Sequence, residues 1–468
     1  MRAALPMRIS VVLLLAGITA CQSAAHQVTP DAAQVDQQAN DAPAAADTGG
    51  GDVPPVAPAD GGASGDAAIA CAPVPTGGPT AAGLAPAQLA GAVVASTPTR
   101  PELAQDLADG QYTIRKALAQ GGAITAPANP AAAPTFALTD DWDPSSIGIG
   151  DPATFTPMYT VAADGTGTHP TIAAAVNEAI FLATCSRVYI RLKAGTYREQ
   201  LTIPSKTSAP PLTLYSTESD AAKTTIVFDG AASTKGNMSA SATLTVKALT
   251  GFQMKNLTVA NDYVEGSAPG ADQSAVALLN QADRAQFENV RVLGNIASLY
   301  LKSLDANTVA RSYFRDSYVA GDQDFILGRG TAVFDHTEIR YLTGRQATGG
   351  AITNPSTSIY NGYGFLFDSC SFTAEAGATG IFLGHQWQES ANVAAVGKVL
   401  VRNSTLAGHI AAEPWSALGA RVTTPKAPMG TVPIIVYTSD DYYPAGMGPV
   451  PAQPFLAEYG NSGPGAHH

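Results

Sequence analysis

From Tyr159 onward, short alternating stretches end in a recurring unit: an apolar residue, a variable one, a turn-forming polar one, then a small or apolar one. It reads Met254-Lys255-Asn256-Leu257, Phe287-Glu288-Asn289-Val290, Phe314-Arg315-Asp316-Ser317, Phe334-Asp335-His336-Thr337, Phe367-Asp368-Ser369-Cys370 and Val401-Arg402-Asn403-Ser404. The copies recur roughly every 20 to 35 residues, the range of stacked solenoid coils. One coil cannot bury its inward residues alone, so neighbours must stack, and alternation sends every second residue of a strand into the bore. The expected fold is all-β: a right-handed, single-stranded parallel β-helix over residues 159–460. A β-sandwich would show tight Asn-Gly or Asp-Gly hairpins at regular spacing, and these are scarce. Ile172-Ala173-Ala174-Ala175-Val176-Asn177-Glu178-Ala179-Ile180 is helix-like. It is expected to cap the N-terminal end of the solenoid, where unpaired strand edges would otherwise lie open. Leu103, Leu107, Ile114 and Leu118 recur at roughly helical spacing. They predict a short helical stretch within an extension, residues 99–158, that packs on the solenoid.

Upstream of this body the pattern changes. Arg2 and Arg8 precede an apolar run over 11–17, too short to span a membrane and flanked as a signal peptide is. Ile18-Thr19-Ala20-Cys21 resembles a bacterial lipobox. That makes residues 1–21 a lipoprotein signal peptide and Cys21 the lipidated first residue of the mature chain. Gln22 after the cysteine, in place of Asp, favours the outer membrane of a Gram-negative bacterium, facing periplasm or cell surface. Residues 22–98 hold Ala, Pro, Gly, Asp and Thr with almost no aromatics. Such a segment buries too little apolar surface to offset its ordering entropy, so a disordered tether is expected.

Composition narrows the partners. Only 14% of the 468 residues are charged, and 45 Gly with 33 Pro suit a loop-rich β protein. The formal charge of -12, with no Lys/Arg-rich run, excludes nucleic acid and disfavours a polyanionic polymer. A neutral, esterified polymer stays compatible. Beyond Cys21 the cysteines are Cys71, Cys185 and Cys370. Three thiols cannot all pair, and with Cys71 in a linker and Cys370 in a strand no disulfide framework is expected. No His/Cys spacing forms a zinc site, and no metal or organic cofactor is expected.

The candidate chemistry centres on Gly321-Asp322-Gln323-Asp324-Phe325-Ile326-Leu327-Gly328. A carboxylate among apolar strand residues costs desolvation unless it is paired, which makes Asp324 a functional candidate. The run resembles the G-x-x-D-F-I-x-G signature of the pectinesterase (pectin methylesterase) family. Further landmarks follow in the family's order. Val161-Ala162-Ala163-Asp164-Gly165-Thr166-Gly167 with Thr171-Ile172 is similar to its opening V-A-x-D-G-S-G and T-I. Gly195-Thr196-Tyr197-Arg198-Glu199 matches G-x-Y-x-E, Gln273-Ser274-Ala275-Val276-Ala277-Leu278 resembles Q-A-V-A-L, and Leu383-Gly384-His385-Gln386-Trp387 resembles L-G-R-P-W. The resemblance covers roughly Tyr159 to Trp415. With the lipobox and tether it points to a bacterial lipoprotein subgroup, some of whose members are described as acyl-CoA thioesterases.

The resemblance implies that Asp324 attacks a methyl-ester carbonyl, forming an acyl-enzyme anhydride. A second Asp protonates the leaving methoxide, a Gln steadies the oxyanion and an Arg holds the nucleophile. Here the chain departs from the pattern. Gly294-Asn295-Ile296-Ala297-Ser298-Leu299-Tyr300 stands where the family has G-x-Q-D-T-L-Y. Ala297 cannot transfer a proton, a loss of about 10²–10⁴ in rate, and Ile296 removes an oxyanion donor. His385 stands in the Arg position, without Arg's fixed charge and two-pronged fork. Beside Asp324 it serves as an acid or base near neutral pH. Gln273 is the expected oxyanion donor. Asp322, two residues before Asp324 on a regular strand, would share its face and act as substitute acid. Ser298 with His385 and Asp324 would make a serine triad on paper, but alternation turns Ser298 away. Trp387, Tyr300, Phe325 and Trp415 are the candidate sugar-stacking surfaces. The expected activity is carboxylic ester hydrolysis on methyl-esterified pectin or a related polysaccharide ester, by a monomer. The alternatives are a carbohydrate-binding lipoprotein impaired in catalysis, or a thioesterase, whose thiolate leaves without needing the lost acid.

Overall fold

The computed structural model describes residues 100–416 and 456–467, with breaks at 127–133, 207, 248, 268–269, 271, 359, 386, 388 and 390–394. The lipobox with Cys21, the expected tether and Cys71 lie outside the described residues.

Three parallel faces wind around one bore. One coil runs through Leu299–Leu301 on the first face, Arg311–Arg315 on the second and Tyr318–Gly321 on the third. The next runs through Ile326–Gly328, Thr331–Asp335 and Glu338–Tyr341, and the one after through Ala351–Pro355, Phe365–Asp368 and Ser371–Ala374. In two earlier coils a single long strand, Gln253–Asn261 or Ala285–Leu293, covers the second and third faces together. Each residue stacks on its counterpart in the next coil: Leu278 on Leu299, Leu299 on Ile326, Ile326 on Thr353. On the second face Leu214, Met254, Phe287, Phe314, Phe334, Phe367 and Val401 form one inward ladder. Its four consecutive phenyl rings stack at 4.4, 5.0 and 4.5 Å, nearly parallel.

The repeat read from the sequence marks the corner between the second and third faces. Asn256, Asn289, Asp316, His336, Ser369 and Asn403, the third residue of each copy, all sit in the left-handed region at φ from 49 to 58°. Asn and Asp tolerate that conformation best, which explains their recurrence. The corners stack as the strands do. The Asn289 side-chain amide donates to the Asn256 side-chain oxygen at 2.8 Å, and the Asp316 backbone N–H to Asp335 O at 3.2 Å.

Ile172–Ala179 is helical, and its buried Ile172, Ala175, Val176 and Ala179 join the bore core. The Gly-x-Tyr-x-Glu motif has a physical role here. The Glu199 carboxylate accepts from the Ile172 and Ala173 N–H groups at 2.9 and 3.0 Å, meeting two orphan donors of the helix start. Tyr197 is buried in the core and donates to Val161 O at 3.1 Å.

The second face is apolar outside as well as inside. Tyr313, Val333, Leu366, Leu400 and Ala457 line its outer surface and pack with Leu103, Ala108, Tyr112, Ala117 and Leu118 of the extension. The helical stretch expected there is two helices, Gln105–Gln111 and Ile114–Ala117, because Thr113 restarts the helix by accepting from Lys116 N. Arg402 donates to the Ala108 and Tyr112 carbonyls at 2.6 and 2.9 Å, closing the first helix. Arg311, wholly buried, binds Asp283 at 2.9 and 2.7 Å, Asp140 at 2.9 and 3.1 Å, and Leu118 O at 2.7 Å. Gly121 packs on this guanidinium, where a Cβ would lie 2.6 Å from Nε.

One expectation is corrected. Cys185 is disulfide-bonded, whereas Cys370 is free and buried. Position in a linker or a strand says nothing about which thiols the fold brings together.

Two outcomes follow. Arg311→Met leaves Asp140 and Asp283 without their main counter-charge, so urea unfolding is expected to show a loss of about 3–5 kcal/mol. Burial holds the Glu102 carboxyl up at about 7, with Glu458 adding to the rise and the Gly460 N–H and Arg100 opposing it. Its folded value exceeds the unfolded 4.5, so this contribution is fully present below pH 4.5 and lost as pH rises through about 7. Glu102→Gln is therefore expected to raise the melting temperature at pH 8 and leave it unchanged at pH 4.5; the reverse order would contradict this.

Candidate active site

The corner between the third and first faces holds the candidate nucleophile. Asp324 sits there at φ 46° and Ala297, one coil back in the same register, at φ 63°. Asp324 is thus a corner residue, and the expectation of a regular strand from 322 to 324 fails. The glycines of the motif make the corner possible. A Cβ on Gly321 would lie 2.2 Å from the Phe325 Cβ, and one on Gly328 would lie 2.1 Å from Leu301 O. Gly321 thereby lets Phe325 fold into the bore while the Asp324 carboxylate turns outward. Asp324 N donates to Ala351 O at 2.8 Å, fixing the corner to the next coil.

His385 arrives from two coils further on. Gly384 allows the approach, since a Cβ there would lie 2.0 Å from Thr353 Oγ1, and His385 N donates to Thr353 O at 3.1 Å. The His385 Nε2 then lies 2.9 Å from Asp324 Oδ1. Both side chains are about nine-tenths buried, in a setting where a charge-assisted hydrogen bond is strong. The expected pairing of these two residues is the one that the coils bring together.

The other expected site residues fare differently. Asp322 is 1% exposed and held by both arms of a fork: Arg345 Nε donates to Oδ2 at 2.8 Å and Nη2 to Oδ1 at 2.7 Å. Fully committed to a guanidinium, it is no free acid. Arg345 also meets Glu265, with Nη1 to Oε1 at 2.9 Å. The Gln273 amide is bound within its own loop. Its oxygen accepts from Tyr263 Oη at 2.7 Å and from Gly266 N at 3.1 Å, and its nitrogen donates to Gly270 O at 2.6 Å. Burial, with Asp322 and Asp324 nearby, pushes the Tyr341 hydroxyl well above its ordinary range against the pull of Arg345.

Of the aromatics, Phe325 and Trp415 are 0 and 1% exposed and belong to the bore core, so neither can stack on a sugar. Tyr300 is 2% exposed and donates to Glu389 Oε1 at 2.5 Å, which also rules out an open platform. Trp387 packs 6.2 Å from the Tyr300 ring on the outside of the first face. Val276, Leu279, Ala297, Tyr300 and Leu327 form an apolar floor with it. Sequence reasoning missed Arg345, Glu265 and the Arg329–Glu389 pair at 2.7 Å. All lie beyond the motifs, on positions that no periodicity marks.

The comparisons agree with this architecture. The family model described as Pectinesterase matches residues 158–423. A pectinesterase of Ralstonia nicotianae is 38% identical over 353 residues, covering 69% of this chain and 85% of that protein. One from Ralstonia solanacearum is 37% identical over 351 residues, covering 68 and 85%. Among solved structures, Escherichia coli YbhC superposes with a TM-score of 0.61 at 24% identity, covering 79% of this chain and 96% of that one. Rice weevil pectin methyl esterase does so at 0.59 and 23%, covering 79 and 99%. These two likenesses show the parallel β-helix fold. Together with the curated relatives, the motif order and the family match, they establish that this chain belongs to the pectinesterase family and is a carboxylic ester hydrolase.

Proposed function

We propose that the chain hydrolyses methyl esters of pectin or a closely related polysaccharide, with Asp324 as nucleophile. The observation that carries this reading is the buried Asp324–His385 contact of 2.9 Å at the corner of the first face. One carboxylate oxygen of Asp324 is held by the imidazole, leaving the other to attack the ester carbonyl. The carbonyl carbon gains a bond to Asp324, the alkoxide leaves as an alcohol, and water then cleaves the resulting anhydride to restore the carboxylate. His385 orients Asp324 through one hydrogen bond where the family's Arg offers two, so weaker positioning and a role for imidazole protonation follow. Trp387, at 8% the most exposed of the four expected aromatics, is the remaining aromatic contact for a sugar ring.

The same reading makes the solenoid right-handed, with the helix Ile172–Ala179 closing its N-terminal end. It has the body, 159–460, working as a monomer, with 99–158 as its packed extension. Cys21 is lipidated, residues 22–98 act as a tether, and the protein is anchored to the outer membrane.

Methanol release from esterified pectin is expected for the wild type and is lost in Asp324→Ala, by about 10³-fold or more. His385→Arg is expected to retain or raise the rate and His385→Ala to lower it; full activity in Asp324→Ala would overturn the assignment. For the anchor, expression with a clickable palmitate analogue is expected to label the wild type and not Cys21→Ser. Equal labelling of both would refute lipidation at Cys21.

A further inference from the structure

The corner ladder puts position 297 beside the nucleophile, and that position holds Ala. If ester turnover runs on this scaffold, a proton must reach the leaving alkoxide from elsewhere. Asp322 is ruled out by its fork from Arg345. The third member of that network has the right placement. Glu265 comes from the loop that follows Gln253–Asn261, on the coil before that of Ala297. Arg345 comes from the loop after Glu338–Tyr341, on the coil after that of Asp324. Their contact therefore crosses the two corners that hold Ala297 and Asp324.

Glu265 Oε1 accepts from Arg345 Nη1 at 2.9 Å, but the hydrogen-bond count within this network leaves its other oxygen short. Two carboxylates face one guanidinium. The single N–H on Arg345 Nε is given to Asp322 Oδ2 at 2.8 Å. Glu265 Oε2 lies 2.6 Å from the same nitrogen yet is buried with no hydrogen bond of its own. A buried charged oxygen without a donor is costly, and protonating it removes the cost. Consistently, burial raises the Glu265 carboxyl above its ordinary range, with Asp322 adding to the rise and Arg345 opposing it. Asp322 is the better bonded and the more deeply buried of the two.

Resting on the esterase reading above, we propose that Glu265 is the proton donor that replaces the acid erased at Ala297. As the bond between the carbonyl carbon and the methoxy oxygen breaks, Glu265 delivers its carboxyl proton to that oxygen and methanol departs. Glu265, now a carboxylate, takes a proton from the water that cleaves the Asp324 anhydride, returning both groups to their starting states. Arg345 is the positioning residue that holds Glu265 over the corner.

The test compares two ester classes in the full-length protein: methyl-esterified pectin, whose alkoxide needs a proton, and a 4-nitrophenyl ester, whose phenolate does not. Glu265→Gln is expected to lower kcat on the methyl ester about 10²–10⁴-fold with KM little changed, and to leave the first-turnover burst of 4-nitrophenolate, which reports acylation alone, within about threefold. Adding Ala297→Asp to Glu265→Gln is expected to restore methanol release. An unaltered methyl-ester rate in Glu265→Gln, or an equal loss in the 4-nitrophenolate burst, overturns the donor role while leaving Asp324 as nucleophile. A wild type that releases no methanol overturns the esterase reading, and this assignment with it.

Discussion

The register of stacked coils is the constraint from which the rest of this molecule follows. Each residue on a face lies directly above its counterpart one coil back, and left-handed residues hold that register at the corner between the second and third faces in six successive coils. Shifting one coil by a single residue would turn its bore phenyl ring outward and break the near-parallel stack from Phe287 to Phe367. It would also separate Asp324 from His385, which are 61 residues apart in sequence and joined at 2.9 Å. The site is therefore a property of the register, and the glycines at 321, 328 and 384 are the places where that register demands close approach.

Much of this was legible because it is local. The apolar-x-polar-small repeat names the corner residues outright, since only a few residue types sit easily at positive φ. The bore ladder shows as alternation, and Asp324 and His385 fall in motifs whose spacing survives. What failed was long-range. Phe325 and Trp415 read as surface aromatics because composition does not say which side of a strand faces the bore. Asp322 read as a partner of Asp324 because alternation was extended through a residue that is left-handed in the fold. Cys185 read as unpaired because pairing depends on proximity in space. Arg345 and Glu265 stand on loops, where neither period nor motif gives a signal.

The outer surface of the first face, beside Asp324, is lined by Val276, Leu279, Ala297 and Leu327 under Trp387. Two polar pairs stand outside this apolar floor: the fork of Arg345 on Asp322 and the pairing of Arg329 with Glu389. An apolar floor strengthens every electrostatic contact made beside it, so the Asp324–His385 pair lies in a medium that favours it.

Whether Asp324 becomes covalently acylated is the point on which the account turns. Turnover of esterified pectin in the presence of hydroxylamine, followed by mass spectrometry of the peptide spanning 322–328, addresses it directly. The account predicts a hydroxamate on Asp324 that depends on substrate and is absent from Asp324→Asn. Sustained methanol release with Asp324 unmodified, and water alone attacking the ester, would contradict it.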